Sequence, residues 1–281
     1  MFRYSWSQAL FTDETLEDSL ERLSRYGYDG VELPVMSMLP SEVKSRLSHH
    51  GLTCTSVNGR FVGRDRDLSS SDEAVRSAAV SYVRSCLQFA SHIGAPVAII
   101  VPTRIGKLSP DTSLEREWAN VVKSLEEIGR IGQGLGVTAV IECVNRAETY
   151  LANRLETAHR LVKDAGSANV ALMADSFHMN IEETDVHAAL RSVAGHLKHV
   201  HLADNNRTAP GMGHLDLGRF LETLFSIGYR GAVAMECDVQ ALDRYGRNAF
   251  STDPKVFDQY AETAISNLKR MEAGLKTKVA V

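Results

Sequence analysis

Four segments of the sequence place an acidic or imidazole side chain at the end of a short apolar run that is typical of a buried strand. The residues are Glu142, Asp175, His201 and Glu236. If these runs are consecutive strands of one parallel barrel, their carboxyl ends meet at one rim and the four side chains converge. Three carboxylates and one imidazole form an oxygen-rich donor set, which favours Mn²⁺ as the first choice and Mg²⁺ or Co²⁺ as alternatives. The pattern therefore predicts a metalloenzyme.

Each of the two glutamates also has a simpler interpretation. Glu142 and Glu236 end runs that contain almost only Ala, Val, Ile and Met, where an unpaired carboxylate would be costly. Either one alone is explained equally well by a buried ion pair with an arginine. The presence of Asp175 and His201 at equivalent strand ends favours the metal site over two unrelated ion pairs.

The histidine of this set lies in the tripeptide His-Val-His. His199 and His201 therefore share one strand face, with His199 one layer deeper. We predict that His201 is the ligand and that His199 supports it or packs, hydrogen-bonded, in the core. An ion held here could bind a carbonyl oxygen and an adjacent hydroxyl and stabilise a developing enediolate. This predicts proton chemistry at the carbon next to a carbonyl.

Other polar residues lie close to these strand ends in the sequence. His178 follows Asp175 by three residues and either reaches the site or caps a helix. Arg207 lies in a loop of Asn-Asn-Arg followed by Pro and Gly, and it either overhangs the site, where it could donate to a substrate oxygen, or is solvated. Arg104 and Lys107 follow the fourth apolar run. They are either surface charges or contacts for an anionic substrate.

Short apolar runs alternate with longer amphipathic helical patterns along the whole chain, which indicates repeated βα units around a parallel sheet. Eight pairs can be counted. The predicted strands cover residues 2–6, 30–34, 53–58, 97–101, 137–142, 170–175, 197–202 and 232–236. The clearest helices cover residues 13–27, 72–93, 113–134 and 253–273, and the least clear covers 184–193. This order predicts an α/β fold, a single (β/α)₈ TIM barrel formed by residues 1–281. A doubly wound open sheet is disfavoured because no GxGxxG follows the first strand and no P-loop is present.

Composition excludes several classes of partner. The 281 residues carry a net charge of −4, with Lys and Arg dispersed among acidic residues, which disfavours a nucleic-acid partner. No apolar run approaches the roughly 20 residues that span a bilayer, and no basic segment followed by an apolar run begins the chain. The 4 cysteines form no CxxC pair, so reduced thiols are predicted. We expect a cytoplasmic protein with neither membrane nor nucleic acid as a partner.

Several of these segments resemble those of a known protein family. The chain resembles the ketose 3-epimerases of the D-tagatose and D-psicose type, within the xylose isomerase-like barrel superfamily, over nearly its whole length. The segments that carry the resemblance are IECVNRAE, ADSFHMNIEE, HLADNNRTAPG and MEC. The resemblance implies a keto sugar, or a derivative of one, as the substrate. It also implies that the four residues named first bind Mn²⁺ or a similar ion.

The resemblance further assigns roles to single residues. It implies that Glu142 and Glu236 flank the substrate C3 from opposite faces, one removing the proton and the other returning one. His178 and Arg207 occupy the positions that steady the C2 oxygen, and Glu148 that of a neighbouring substrate-binding carboxylate. Such barrels are often dimers or tetramers, so a homodimer or homotetramer is expected.

Two segments depart from the family pattern. Cys237 and Asp238 follow the last glutamate, where the sugar epimerases usually carry Pro and an aromatic residue, and PTRIGKL replaces an aromatic-rich segment after the fourth strand. With Asp238, Arg104 and Lys107 in place of aromatic residues, we expect a more polar pocket. Polar groups left unpaired by a ligand penalise its binding, so weak activity is expected on D-fructose or D-tagatose and better activity on a more polar keto sugar.

Three other functions remain open on the same barrel. A metal-dependent lyase or dehydratase of a keto sugar or cyclic polyol ketone would use the same ion and the same base. A DNA-repair endonuclease of the endonuclease IV type is disfavoured because strands three and four end in Val57-Asn58 and Val101-Pro102-Thr103, without the extra histidines of such enzymes. A non-enzymatic carbohydrate-binding barrel is disfavoured because Glu142 and Glu236 are both present.

Overall fold

The computed structural model describes residues 2–8, 14–237 and 254–279. Eight parallel strands pair in chain order and close into a barrel in which β1 also pairs with β8. The strands are β1 (Arg3–Ser7), β2 (Gly30–Pro34), β3 (Thr53–Asn58), β4 (Val97–Ile100), β5 (Thr138–Ile141), β6 (Val170–Asp175), β7 (Leu197–Leu202) and β8 (Ala232–Met235). The predicted TIM barrel is confirmed.

Helices connect the strands on the outside of the barrel. They are α1 (Leu16–Tyr26), α2 (Pro40–His49), α3 (Glu73–Ile93), α4 (Leu114–Leu135), α5 (Leu155–Ala165), α6 (Ser176–Glu182), α7 (Val186–Ser192), α8 (Leu217–Ser226) and α9 (Pro254–Val279). No described helix has an apolar stretch long enough to cross a membrane.

Local capping signals set the ends of the longer helices. The side chains of Thr15, Asp72 and Ser113 accept hydrogen bonds from backbone amides in the first turns of α1, α3 and α4, which satisfies donors that have no partner within the helix. Gly27 and Gly94 end α1 and α3 in the left-handed conformation, which costs glycine little. The helices predicted over 13–27, 72–93 and 113–134 agree with α1, α3 and α4 to within three residues, whereas α9 continues six residues beyond the predicted end at 273.

Alternation along the strands decides which side chains face the barrel axis. A small apolar cluster separate from the main core consists of Val97, Ile99, Val140, Ala171 and Met173. The residues between them, such as Ala98, Ile100 and Leu172, belong to the main core between strands and helices. Because successive strand side chains point to opposite faces, the same parity turns Glu142 and Asp175 toward the axis. The four cysteines are free, as predicted, and all of them are buried.

Candidate metal centre

The structure brings together the four residues predicted as ligands. Glu142 and Glu236 directly follow β5 and β8, Asp175 ends β6 and His201 lies near the end of β7. Each offers one ligating atom, and these four atoms all lie within 4.8 Å of one another. Donors about 2.1 Å from one ion lie within this range of each other. All four residues are buried, so the donor set fits a divalent cation.

The imidazole of His201 is directed at the carboxylates through one nitrogen. Its Nδ1 lies 3.0 Å from Glu236 Oε2, 3.6 Å from Glu142 Oε1 and 3.7 Å from Asp175 Oδ2. Burial disfavours the charged ring, but the charges of the surrounding carboxylates outweigh it and hold the pKa of His201 well above its usual value. Nδ1 is therefore the ring nitrogen that His201 turns toward the other three predicted ligands.

Arg207 lies over this acidic cluster, as the overhanging-loop interpretation predicted. Its guanidinium donates to Asp175 Oδ2 at 2.9 Å and also to Glu236 Oε2, and it stacks 4.8 Å from the centre of the Phe177 ring. The backbone of Arg207 has a φ of 63°, an unusual left-handed conformation for a residue other than glycine. The solvated-loop interpretation of Arg207 is wrong, because its side chain is only 12% exposed.

The two glutamates differ in their electrostatic surroundings. Burial raises the pKa of Glu142, and the nearby charge of Glu236 adds to the rise against the opposing effect of His201. Burial acts in the same direction on Glu236, but the charges of Arg207 and His201 outweigh it and hold the pKa of Glu236 below its usual value. Different environments of this kind allow one carboxyl to act as an acid while another remains ionised.

His178 points into the site from the first turn of α6. The helix cap is the side chain of Asp175, whose Oδ1 accepts from the amides of Phe177 and His178, so the capping interpretation of His178 is wrong. His178 Nδ1 accepts from the Asn145 amide at 3.2 Å. Because an amide can only donate, the neutral ring carries its proton on Nε2. That nitrogen lies 3.9 Å from Glu142 Oε1 and 4.0 Å from Asp175 Oδ2.

Asn145 links His178 and Glu148, two of the residues predicted to bind the substrate. Its side-chain nitrogen lies 2.9 Å from His178 Nδ1 and donates to Glu148 Oε1 at 3.0 Å. Asn145 is buried. It lies within the segment IECVNRAE, but no local pattern distinguishes an amide that orients two neighbours from an ordinary loop asparagine.

The sequence analysis identified neither Asn145 nor Glu32 as part of the site. Glu32 lies in the middle of β2, is fully buried, and its Oε2 is 2.9 Å from Nε2 of both His199 and His201. Burial acts to raise the pKa of Glu32, but the two histidines outweigh it and hold the pKa well below its usual value. His199 thus supports the predicted ligand indirectly, through a carboxylate that both rings share.

A cavity of about 640 Å³ opens above the acidic cluster. Glu142, Glu236, Glu148, His178 and Arg207 all contribute to its wall. The side toward the third, fourth and fifth strands is largely apolar and is formed by Phe61, Val62, Val101, Ile105 and Val144. The described wall therefore combines one polar end with an apolar flank, as is usual for small-molecule sites.

The expectation that Arg104 and Lys107 make this cavity polar is wrong. Neither residue lines it. Arg104 lines a separate, smaller surface cavity, and the Lys107 side chain is only 1% exposed. The third residue of that argument, Asp238, lies outside the described residues.

Lys107 is the centre of a buried ion cluster. Its ammonium lies 2.9 Å from the buried Asp67 and 2.6 Å from the buried Glu117, and also 3.1 Å from the exposed carboxylate of Asp111. These carboxylates come from three different segments. The backbone of Lys107 accepts from the Tyr150 amide, and the adjacent Gly106 amide donates to the Glu148 carbonyl. Lys107 thus fixes the loop after β4 against the loop that carries Glu148.

Replacing Lys107 by methionine is expected to destabilise the fold by about 3–5 kcal/mol, because it leaves Asp67 and Glu117 buried without their cation. Urea unfolding measures this change. A matched control is Arg84→Met, which removes an exposed ion pair with Glu127 and should cost about 1 kcal/mol or less. A Lys107→Met variant as stable as the Arg84→Met control would contradict a structural role for the cluster.

Known proteins provide an independent comparison. Residues 20–259 match the xylose isomerase-like TIM barrel family. The chain is 29% identical over 265 residues to the D-psicose 3-epimerase of Ruminiclostridium cellulolyticum, covering 88% of each protein. It is 30% identical over 246 residues to the 3-dehydro-D-guloside 4-epimerase of Escherichia coli K12, covering 84% of this chain and 92% of the relative.

Comparison with solved structures also identifies a D-psicose 3-epimerase as similar to this chain. A crystal structure of D-psicose 3-epimerase with D-tagatose from Clostridium cellulolyticum H10 superposes with a TM-score of 0.86 at 25% identity, covering 96% of this chain and 99% of that one. The resemblance stated from the segments around Glu142, Asp175, His201 and Glu236 is confirmed. This protein therefore belongs to the xylose isomerase-like TIM barrel family.

Proposed function

We propose that this protein is a divalent-metal-dependent epimerase that inverts C3 of a keto sugar. The observation that carries the proposal is the placement of two buried glutamates, Glu142 after β5 and Glu236 after β8, on either side of Asp175 and His201. Two carboxyls that flank one reacting carbon can remove a proton from one face and supply a proton to the other. Its relatives are named as sugar epimerases, and this chain is an enzyme of sugar epimerisation or isomerisation.

Glu142, Asp175, His201 and Glu236 would hold the metal ion. Mn²⁺ is our first choice, with Mg²⁺ or Co²⁺ as alternatives, since oxygen donors dominate the set. When bound, such an ion supplies Lewis acidity to the oxygens of the substrate. The buried surroundings of the four residues keep bulk water from competing for these positions.

Three further residues would orient the sugar. His178 presents its Nε2 proton toward the cluster, and the Arg207 guanidinium lies beside Asp175 and Glu236. Both are donors that can steady a carbonyl oxygen at C2 as negative charge develops on it. Glu148, held by Asn145, can accept from a sugar hydroxyl. The apolar flank of the cavity would pack against the carbon side of the ring or chain.

The proton balance of the proposed reaction is simple. One glutamate takes the C3 proton as the electron pair moves toward the C2 carbonyl, and the other glutamate gives a proton to C3 from the opposite face. The acid form of one residue and the base form of the other are exchanged in each turnover. The reaction therefore needs no reductant, oxidant or cosubstrate.

A ketose incubated with the Mn²⁺-loaded enzyme in heavy water is expected to give the C3 epimer with deuterium at C3, because the proton is returned from exchangeable carboxyl groups. NMR identifies both the product and the position of the label. A metal-dependent dehydratase on the same site would instead release a β-hydroxyl after the same proton abstraction. A deoxy-dicarbonyl product would therefore contradict the epimerase proposal in favour of that alternative.

A further inference from the structure

We propose that Glu32 is a positioning residue that keeps the proton of His201 on Nε2 and so presents the Nδ1 lone pair to the metal ion. The inference rests on the metal site of the proposed function. It concerns a residue of β2, which contributes none of the proposed ligands. Glu32 reaches His199 and His201 on β7 from a strand that is not adjacent to β7 in the barrel.

When Glu32 is ionised, its hydrogen bonds allow only one assignment of protons. Its Oε2 lies 2.7 Å from Ser56 Oγ and 2.9 Å from Nε2 of both His199 and His201, and its Oε1 lies 3.2 Å from Asn58 Nδ2. An ionised carboxylate can only accept hydrogen bonds. Every one of these partners must therefore donate, and both histidines carry a proton on Nε2.

A proton on Nδ1 of His201 instead of Nε2 would be unfavourable in the folded protein. With its single proton on Nδ1, His201 would turn a bare Nε2 toward a carboxylate oxygen 2.9 Å away, so that two acceptors would face each other in a fully buried site. Buried polar groups left unsatisfied in this way destabilise the arrangement. A proton on Nδ1 would also occupy the lone pair that the ion needs.

The surroundings of His199 are consistent with the same proton assignment. Its Nε2 contacts Glu32, and its Nδ1 has no hydrogen-bond partner within the described part of the chain. The ring therefore has one nitrogen that donates and one that is left bare. Both imidazoles of the His-Val-His segment thus share one orientation of their protons, and Glu32 is the group that they have in common.

Asn58 extends the support from Glu32 to a proposed ligand. Its side-chain nitrogen donates to Glu32 Oε1 at 3.2 Å and to Glu236 Oε1 at 3.3 Å. The amide has two hydrogens, so it can satisfy both carboxylates at once. Glu32 thereby fixes the orientation of His201 directly and that of Glu236 through one side chain.

The test is Glu32→Gln, measured by Mn²⁺ titration calorimetry and by ¹⁵N NMR of labelled histidine in the Mg²⁺-bound protein. The amide group of glutamine is a donor on one side, so it cannot accept from all four partners. We expect the dissociation constant for Mn²⁺ to rise about 10–100-fold, the usual effect of losing the partner of a ligating histidine. We expect the His201 signal of the unaltered protein to show protonated Nε2 and unprotonated Nδ1, and this pattern to be lost in Glu32→Gln.

The matched control is Glu117→Gln, the same substitution at another buried carboxylate, which lies in the Lys107 cluster. It should lower stability without changing Mn²⁺ affinity or the His201 signal, whereas a general loss of stability would change both variants alike. Glu32→Gln with Mn²⁺ affinity within threefold of the unaltered protein would overturn the proposal. If Glu32→Gln does not fold, a proton on Nδ1 of His201 in the ion-bound unaltered protein overturns it just as directly. A protein that shows the expected tautomer and Mn²⁺ binding but is inactive on ketoses would contradict the proposed function alone.

Discussion

Glu142→Gln and Glu236→Gln are each expected to lower kcat on a ketose by at least about 10²–10⁴-fold, the usual contribution of a general acid or base. Glutamine keeps the volume of the side chain but can neither remove nor supply the C3 proton. It is also a poorer donor to a divalent ion, so the loss should exceed that of proton transfer alone. Steady-state kinetics at saturating Mn²⁺ measure the effect, with circular dichroism to establish that each variant is folded.

Glu148→Gln is the matched control for these two variants. Glu148 lines the same cavity but lies outside the group of four ligands, and its proposed contact is with a sugar hydroxyl. Loss of that contact should raise KM more than it lowers kcat, because it weakens the bound substrate and the transition state alike. Near-normal turnover by Glu142→Gln or Glu236→Gln with Mn²⁺ bound would show that the two-base mechanism is wrong.

Asp175→Asn is expected to reduce Mn²⁺ affinity by more than the roughly 10–100-fold that follows the loss of an outer partner of a ligand. The two oxygens of Asp175 have separate roles. Oδ1 caps α6 by accepting from Phe177 and His178, whereas Oδ2 faces Arg207 and the other proposed ligands. Asparagine keeps a capping oxygen but removes the charge that an ion requires. Titration calorimetry with Mn²⁺ measures the loss.

Asp175→Ala separates the cap from the ligand. Both variants lack the carboxylate, but only alanine removes the capping acceptor, which should cost about a further 1 kcal/mol of unfolding free energy. Urea unfolding in the presence of a chelator measures this difference without any contribution from bound metal. Mn²⁺ affinity in Asp175→Asn equal to that of the unaltered protein would exclude Asp175 as a ligand.

The partners of Glu32 and Lys107 could not be predicted from local sequence patterns. Glu32 lies in a strand that reads simply as GVELP, and its partners His199 and His201 are 167 and 169 residues away along the chain. Lys107 reads as a loop charge, yet it pairs with Asp67 and Glu117, 40 and 10 residues away along the chain, and its side chain is only 1% exposed. Pairing over such separations has no local signature, because it depends on which loops and strands become neighbours in space.

The sequence by itself determined the barrel and the convergence of Glu142, Asp175, His201 and Glu236. Strand alternation sets the face on which each side chain lies, and parallel βα repeats bring every strand end to the same rim, so residue type and position along the strand suffice. Only the tertiary structure decided which of the remaining charges belong to the site. Arg207 donates to Asp175 in the site, and His178 accepts from the Asn145 amide, which orients its ring. Lys107 instead forms an ion pair with Glu117 outside the site. The physical reason is that a buried charge must find partners, and the identity of those partners is settled by folding, not by the neighbouring sequence.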